Sequence, residues 1–455
     1  MLYPEEVEVL DNSYKQKSKN ITRYDIERGV TDILEKGMTT SFAGGFFFIP
    51  YLLQLQAHDL IGELGPPKNK GIHNERLGLG LVFESIFGLT EGIRAIDSIS
   101  RTDFGLLAGL PFLPSTSTQY RFLQDISYDS ALSFQIDLGK WLRTLGQVNV
   151  DSPVNIDGHN IKSYSRKAMK KSYITKEGSY GKAIRTFYTQ DQEGKKPLIA
   201  MATYSGTNIS QVTGRISRYT QNILDSDFLL VADKEWYCGE LIKDLQTRYN
   251  ISILTPAKHF KSKVTEFEEI PSDKYEETIQ GDIASVYTTM KGFDGPLQMF
   301  VKKRPDGKYF ALITPKEDLN KDIAMSIYSK RWRIENFFAK NDFLGINKLP
   351  SMNLNAIQAM LSLRILAFHA VDNFRHDLGG NYKTNTPNLI YRKFIDGVQG
   401  KIQMHEDVIE VQIYGFKHES AVKPIFSNLN EKLKMAGVDP RIPWLGNRRI
   451  RFKFR

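Results

Sequence analysis

Cysteine is nearly missing from this chain of 455 residues, with Cys238 its only representative. A single thiol excludes a disulfide framework and any metal site built on paired cysteines. The 8 histidines form no cluster, so an imidazole-rich metal site is not indicated either. The N-terminus, Met1-Leu-Tyr-Pro-Glu-Glu, lacks the basic stretch and apolar core of a signal peptide. No apolar run has the length to span a bilayer. The most apolar stretch, Phe42 to Leu55, is short and interrupted by Gly44, Gly45 and Pro50. Hydrophobic residues at 41% and charged residues at 25% are ordinary for globular chains, so disordered, collagen-like and coiled-coil readings fail. The expectation is a soluble cytoplasmic protein with no membrane partner.

What the sequence has in excess is positive charge. Lys and Arg total 61 against 52 Asp and Glu, a net charge of +9. The excess is concentrated. Residues 158–196 hold ten basic and three acidic residues, residues 380–455 hold fourteen basic and seven acidic, and the rest of the chain is net negative. Localised positive charge points to a polyanion, nucleic acid before membrane.

The length predicts about two to four folding units. Residues 1–148 read as a helical N-terminal domain, a candidate for DNA binding, opening in a polar arm over 1–30. Its Gly105–Pro114 region reads either as a helix-turn-helix or as ordinary helix packing. From 149 to 258 the order is three strands, helix, strand, helix, strand, beginning at Val154-Asn-Ile-Asp157. This is mixed α/β with an antiparallel opening and parallel crossovers. Residues 259–317 alternate as a small β-rich antiparallel insertion. Residues 318–379 are helical, with one long helix expected over Asp318–Phe343 and another over Asn355–Leu378. Residues 380–455 form a basic C-terminal region.

Three carboxylates stand out by position. Asp157 is expected at the end of the first strand of the α/β segment. Asp233 ends the apolar run Phe228-Leu-Leu-Val-Ala, where ligand sites of α/β sheets commonly lie. Glu335 lies in the helix after the insertion. Carboxylates gathered at buried strand ends are costly unless hydrogen-bonded or metal-bound. Without cysteine or histidine beside them, they suit hard cations such as Mg²⁺ or Mn²⁺. Each also has a plainer reading: Asp157-Gly158 as a turn, Asp233 as a helix cap, and Glu335 as the partner of Arg331 four residues earlier. Tyr328, Arg331 and Glu335 follow at steps of three and four, which places them on one helical stripe. A phenol, a guanidinium and a carboxylate so arranged suit a phosphodiester near a cation.

These motifs resemble the DDE transposases of bacterial insertion sequences, in the branch with a β-strand insertion between the second aspartate and the glutamate. The resemblance rests on Asn155-Ile-Asp157-Gly158, on Leu230-Val-Ala-Asp233, and on Tyr328-x2-Arg331-x3-Glu335 with Trp332, Ile334 and Phe337, and covers about residues 105–375. Asp233 follows Asp157 by 76 residues and precedes Glu335 by 102, and the longer interval holds the insertion. The resemblance implies an RNase H-like catalytic core that cleaves DNA ends and transfers strands. It also implies two divalent ions, Mg²⁺ or Mn²⁺, held by Asp157, Asp233 and Glu335. Tyr328 and Arg331 would contact DNA near the scissile phosphate. The implied partners are double-stranded DNA (terminal inverted repeats and target) and a second copy of the chain in a synaptic complex. The pattern departs at one place: the family's lysine seven residues after the glutamate is Asp342 here, with Lys340 and Lys348 on either side.

The basic run after Asp157 includes Lys162, Arg166, Lys167, Lys170 and Lys171, which read as a path for the DNA backbone. The C-terminal Arg441–Arg455 segment interleaves bases with aromatics and reads as a DNA contact or as a terminal edge strand. Two other classes remain open at this point: a metal-dependent nuclease on the same core without strand transfer, and a catalytically silent DNA-binding relative.

Overall fold

In the computed structural model, the described residues are 22–68, 70–90, 99, 103–164, 170–174, 178–349 and 351–455. The chain divides into two compact units, one formed by Met1–Phe134 with Lys340–Arg455 and the other by Gln135–Ala339.

The Gln135–Ala339 unit is built on one mixed sheet. Its strands are β1 (Val154–Lys162), β2 (Lys171–Ile174), β3 (Ser179–Asp191), β4 (Pro197–Tyr204), β5 (Leu229–Val231), β6 (Ser252–Pro256), β7 (Tyr275–Glu276), β8 (Ile283–Met290), β9 (Phe293–Lys303) and β10 (Tyr309–Thr314). Their order is β2-β3-β1-β5-β6-β10-β9-β8-β7, with β4 also paired to β3. The pairs β3–β4 and β3–β1 are antiparallel, whereas β1–β5 and β5–β6 are parallel. The crossovers are α1 (Ile209–Leu224) and α2 (Gly239–Tyr249), and a short helix α3 (Lys261–Glu268) leads from β6 into the insertion. Three antiparallel strands followed by two parallel ones linked through helices form the mixed α/β, RNase H-like arrangement expected from the sequence. The physical signals are plain. Leu229, Leu230 and Val231 are all buried, as a strand covered on both faces requires. In α1, Val212, Ile216 and Ile223 recur at helical spacing on the buried side, and the Asn208 side chain caps the first turn by accepting from the Ser210 amide.

One expectation is extended in this unit and another changes. The β-rich insertion is antiparallel, as expected, and it also joins the central sheet: β10 pairs with β6 through Leu312↔Pro256 and Ile313↔Thr255, so the insertion widens that sheet. The continuous apolar run Ala311-Leu312-Ile313 explains this, since a strand buried on both faces belongs inside a sheet rather than at its rim. Leu229, Leu254, Phe300, Leu312 and Met325 share one core cluster, against which Tyr328 packs. The long helix over Asp318–Phe343 is two helices, α4 (Lys321–Ser329) and α5 (Trp332–Lys340). At the junction the Arg331 amide bonds to the Tyr328 carbonyl at 3.0 Å and the Arg333 amide to that of Lys330 at 3.1 Å, the tighter three-residue spacing. The Ile327 carbonyl, which would accept from Arg331 in a continuous helix, instead accepts from the Lys330 amide at 3.1 Å and from Gln192 Nε2 at 3.0 Å.

The other unit is mostly helical, with a small sheet of order 38–40, 400–405, 408–413, 449–454. The arm expected over 1–30 gives way, within the described part, to a helix at Arg23–Lys36 fixed by a Thr22–Asp25 capping box. Around Gly105–Pro114 lie a 3-10 helix, Asp103–Ala108, and an α-helix, Thr116–Asp125. Contrary to the expectation that no run is long enough, Leu354–Leu378 could cross a membrane by length and composition, but 89% of its most apolar window is buried. It is the unit's central helix. Phe374 on this helix packs with Phe47 and Phe394, and Phe426 sits 5.0 Å from Phe47 and 4.5 Å from Phe452 between ring centroids. The basic C-terminal segment is an edge strand, Arg449–Phe454. Its charges meet carboxylates nearby: Lys453 with Glu410 and Arg449 with Asp407, while Arg441 pairs with Asp439. Trp444 is buried and donates from Nε1 to the Leu107 carbonyl at 2.9 Å.

Candidate active site

β1 runs beside β5 through the register pairs Val154↔Leu230 and Asn155↔Val231. Carried on by two residues, that register sets Asp157 beside Asp233 just where β5 ends. Asp157 is therefore not at the end of its own strand. β1 continues to Lys162 because β3 pairs with it throughout, from Val154↔Asp191 to Lys162↔Ala183. The strand that stops is β5, and the opening past its C-terminal end is where a sheet of this type admits a ligand.

The two aspartates are held differently. Asp157 Oδ1 accepts from the Gly158 amide at 2.8 Å, and Oδ2 lies 3.7 Å from a terminal nitrogen of Arg331. Asp233 Oδ1 accepts from the Glu235 amide at 2.7 Å, capping the short 3-10 turn Lys234–Trp236, and its carbonyl accepts from Thr255 Oγ1 at 2.7 Å. Trp236 anchors that turn: it is fully buried, donates from Nε1 to Thr213 Oγ1 at 2.9 Å, and meets Phe187 edge-on.

Arg331 joins the group. It bonds Glu335 one turn along α5 and faces Asp157, with only 15% of its own side chain exposed. Its guanidinium centre lies 5.9 Å from the Tyr328 ring centroid. The electrostatics mark the five residues as one set. Burial pushes the Asp157 carboxyl up to about 7; the Arg331 charge and the Gly158 amide pull it back, while the charges of Asp233 and Glu335 push it up further. Burial also raises the Asp233 carboxyl, opposed mainly by the Glu235 amide and then by Arg331 and Arg185. The Tyr328 phenol is raised chiefly by burial, with Arg331 opposing and the charges of Asp233 and Glu335 adding. For Arg331 burial works against the charge, yet Tyr328, Asp157 and Glu335 together hold it above its ordinary value.

Two plainer readings of the sequence thus hold alongside the functional one, since Asp233 does cap a turn and Glu335 does pair with Arg331. The third fails: Asp157-Gly158 is strand. Glycine suits position 158 because a Cβ would come within 2.9 Å of the Arg185 guanidinium, which pairs with Glu235.

Several positioning residues are not legible in the sequence. Gln192 and Glu193, in the turn between β3 and β4, hold the α4–α5 junction. Glu193 pairs with Lys330 at 2.6 Å and Arg333 at 3.1 Å, while the Gln192 carbonyl accepts from Arg333 at 2.8 Å. Gln192 Nε2 also donates to Asn155 Oδ1 at 2.8 Å, tying the junction to the strand that carries Asp157. The turn Asp191-Gln-Glu-Gly194 gives no hint of this, because its partners on the junction lie more than 130 residues away. Gln192→Ala is expected to lower turnover about 10²-fold and to weaken divalent-cation binding, because Arg331 and the candidate ligand Glu335 lose their positions. Steady-state kinetics beside a cation titration checks this.

The basic residues take other places. Lys162 ends β1, about 16 Å along the strand from Asp157 at ~3.3 Å per residue, and its ammonium lies 4.9 Å from the Tyr164 ring centroid. Lys171 opens β2 opposite Lys182, and the Lys170 side chain lies over Gly206. Arg166 and Lys167 fall outside the described residues. Lys340, Asp342 and Lys348 belong to the other compact unit.

Asp157, Asp233 and Glu335 offer hard oxygen donors only, which is the chemistry that Mg²⁺ and Mn²⁺ select. Among the described residues no three acidic, histidine or cysteine side chains converge as a preformed metal cage. Arg331 lies among these carboxylates and supplies the positive charge that holds them. Burial, with the added charges of Asp233 and Glu335, makes the Asp157 carboxylate costly, and a cation offsets that cost, so the donor set fits a divalent ion.

Residues 151–368 match the transposase DDE domain family. That span contains Asp157, Asp233, Tyr328, Arg331 and Glu335, and it starts later than the 105–375 expected from the motifs. No curated protein matches the chain. Among solved structures, a chain of the cryo-EM structure of the piggyBac transposase synaptic complex with hairpin DNA is similar at 14% identity over 80% of each chain, with a TM-score of 0.42. That likeness is too distant to assign a function.

Proposed function

We propose that this chain is a DDE transposase of a bacterial insertion sequence, cleaving the element's ends and joining them to target DNA. The observation that carries the reading is the gathering of Asp157, Asp233 and Glu335 around Arg331 inside a span that matches a transposase DDE domain. Asp157, Asp233 and Glu335 would hold two Mg²⁺ or Mn²⁺ ions. When bound, such ions activate the attacking water or 3′ hydroxyl and stabilise the leaving oxygen. Arg331 and Tyr328 would contact the DNA near the scissile phosphate, the guanidinium by charge-assisted hydrogen bonds to phosphate oxygens. Double-stranded DNA with terminal inverted repeats is the substrate, and two copies of the chain pair two ends.

The test uses the DNA flanking the coding sequence. Fragments carrying its inverted repeats, incubated with the protein and Mg²⁺, are expected to be cut at the repeat ends and joined to a target plasmid. Chelation should stop both steps. Cleavage without any joined product would instead identify a nuclease. Binding with neither reaction would identify a silent relative.

A further inference from the structure

The strand pair β2–β3 carries an unusual face. Its register sets Lys171 opposite Lys182 and Tyr173 opposite Tyr180. Directly opposed residues share a face, and so do residues two apart on one strand, so all four side chains emerge on the same side. The other side anchors the pair: Ile174 is buried and packs over Gly181. The tyrosines stay in solvent, Tyr173 at 47% and Tyr180 at 73% exposed, meeting edge to face at 5.4 Å between centroids. Tyr204, 52% exposed, opposes Ile184 and therefore joins the same side. Along β3 the alternation runs Tyr180, Lys182, Ile184, Thr186, Tyr188, and Tyr188 opposes Asp157. The face thus lies on Asp157's side of the sheet, and its Lys182 end is about 20 Å away along the strand at ~3.3 Å per residue.

Large exposed rings gain nothing from water, and lysines set beside them add a charge that phosphate would meet. Both features suit one kind of occupant. We propose that this face is a platform for unpaired DNA, with bases stacked on Tyr173, Tyr180 and Tyr204 and phosphates held by Lys171 and Lys182. Duplex DNA would satisfy the lysines but not the rings, because paired bases keep their faces inside the stack. The inference rests on the transposase reading and deepens it: it assigns the enzyme a place for a single strand near the cleavage site.

Fluorescence polarisation of the full chain with labelled oligothymidylate and with a duplex of equal length tests it. Tyr173→Ala/Tyr180→Ala is expected to weaken single-strand binding about 10- to 100-fold while duplex binding changes little, and Tyr173→Phe/Tyr180→Phe to keep wild-type affinity. Lys171→Gln/Lys182→Gln should flatten the logarithmic salt dependence of single-strand binding by about 1.4, the share of two phosphates. The platform is overturned if wild type fails to bind oligothymidylate, if the alanine pair loses both DNAs equally, or if the glutamine pair leaves the salt slope unchanged. The lysine variant decides the matter should the alanine pair lower the melting midpoint. Wild type that binds oligothymidylate but never cleaves repeat ends would remove the transposase reading and leave the platform. Repeat-end cleavage by a protein whose alanine pair binds single strands normally would do the reverse.

Discussion

Asp233→Asn is expected to cut the rate of strand cleavage by about 10³-fold or more, equivalent to at least about 4 kcal/mol of transition-state stabilisation, in a protein that folds as well as wild type. The fold is expected to survive because both structural roles of this residue do. Asparagine keeps an Oδ1 to accept from the Glu235 amide, and the carbonyl that accepts from Thr255 Oγ1 belongs to the backbone. What disappears is the negative charge, and a hard divalent cation bound by oxygen depends on that charge. A capping role alone predicts full activity for the variant, so the substitution separates the plain reading of Asp233 from the catalytic one. Melting curves establish the fold, and cleavage of repeat-end DNA in Mg²⁺ measures the loss. Wild-type cleavage by Asp233→Asn would remove Asp233 from the chemistry.

The catalytic unit is legible in the sequence wherever local pattern determines structure. The run Phe228–Ala232 announces a buried strand, the pattern over Gly239–Tyr249 predicts α2 with its observed ends, and the order of strands and helices specifies the mixed α/β core. Motif and spacing single out Asp157, Asp233, Tyr328, Arg331 and Glu335, and the electrostatics couple all five. What the sequence hides is decided by contacts between distant segments. The helix break at Lys330-Arg331 contains no proline or glycine to signal it; there the Ile327 carbonyl accepts from Gln192. The joining of the insertion to the central sheet rests on the pairing of β10 with β6, which a repeating strand pattern cannot specify. Leu354–Leu378 is legible as a helix, but its burial as the other unit's centre is a packing fact. Also hidden are the internal partners of the basic C-terminal segment, where Arg449 meets Asp407 and Lys453 meets Glu410.

Asp157→Asn should abolish cleavage yet make the cation-free protein more stable at about pH 8, by roughly 1–3 kcal/mol, or a few degrees in melting midpoint. Burial lifts this carboxyl from 3.8 to about 7. An unfolded chain releases the proton near the ordinary value, whereas the folded chain holds it until about 7. Between those values the folded state binds more protons, so stability falls as pH rises, and above about 7 the whole cost of the buried charge is present. At about 1.4 kcal/mol for each pH unit between the two values, that cost would be about 4 kcal/mol. With the Asp157 side chain 16% exposed, only part of it is expected. Asparagine carries no charge, keeps an acceptor for the Gly158 amide, and leaves Arg331 paired with Glu335. By about pH 4.5 the folded wild type is protonated there and most of the advantage should be gone, the remainder disappearing below the unfolded value. Saturating Mg²⁺ should reverse the order, because a ligand that binds only the folded state stabilises the protein that can hold it. Scanning calorimetry of both proteins at the two pH values, with and without Mg²⁺, reads all four cases. A variant less stable than wild type at about pH 8 without metal would show that the Asp157 charge is favourably held in the fold, and that its raised carboxyl is not a sign of a site awaiting a cation.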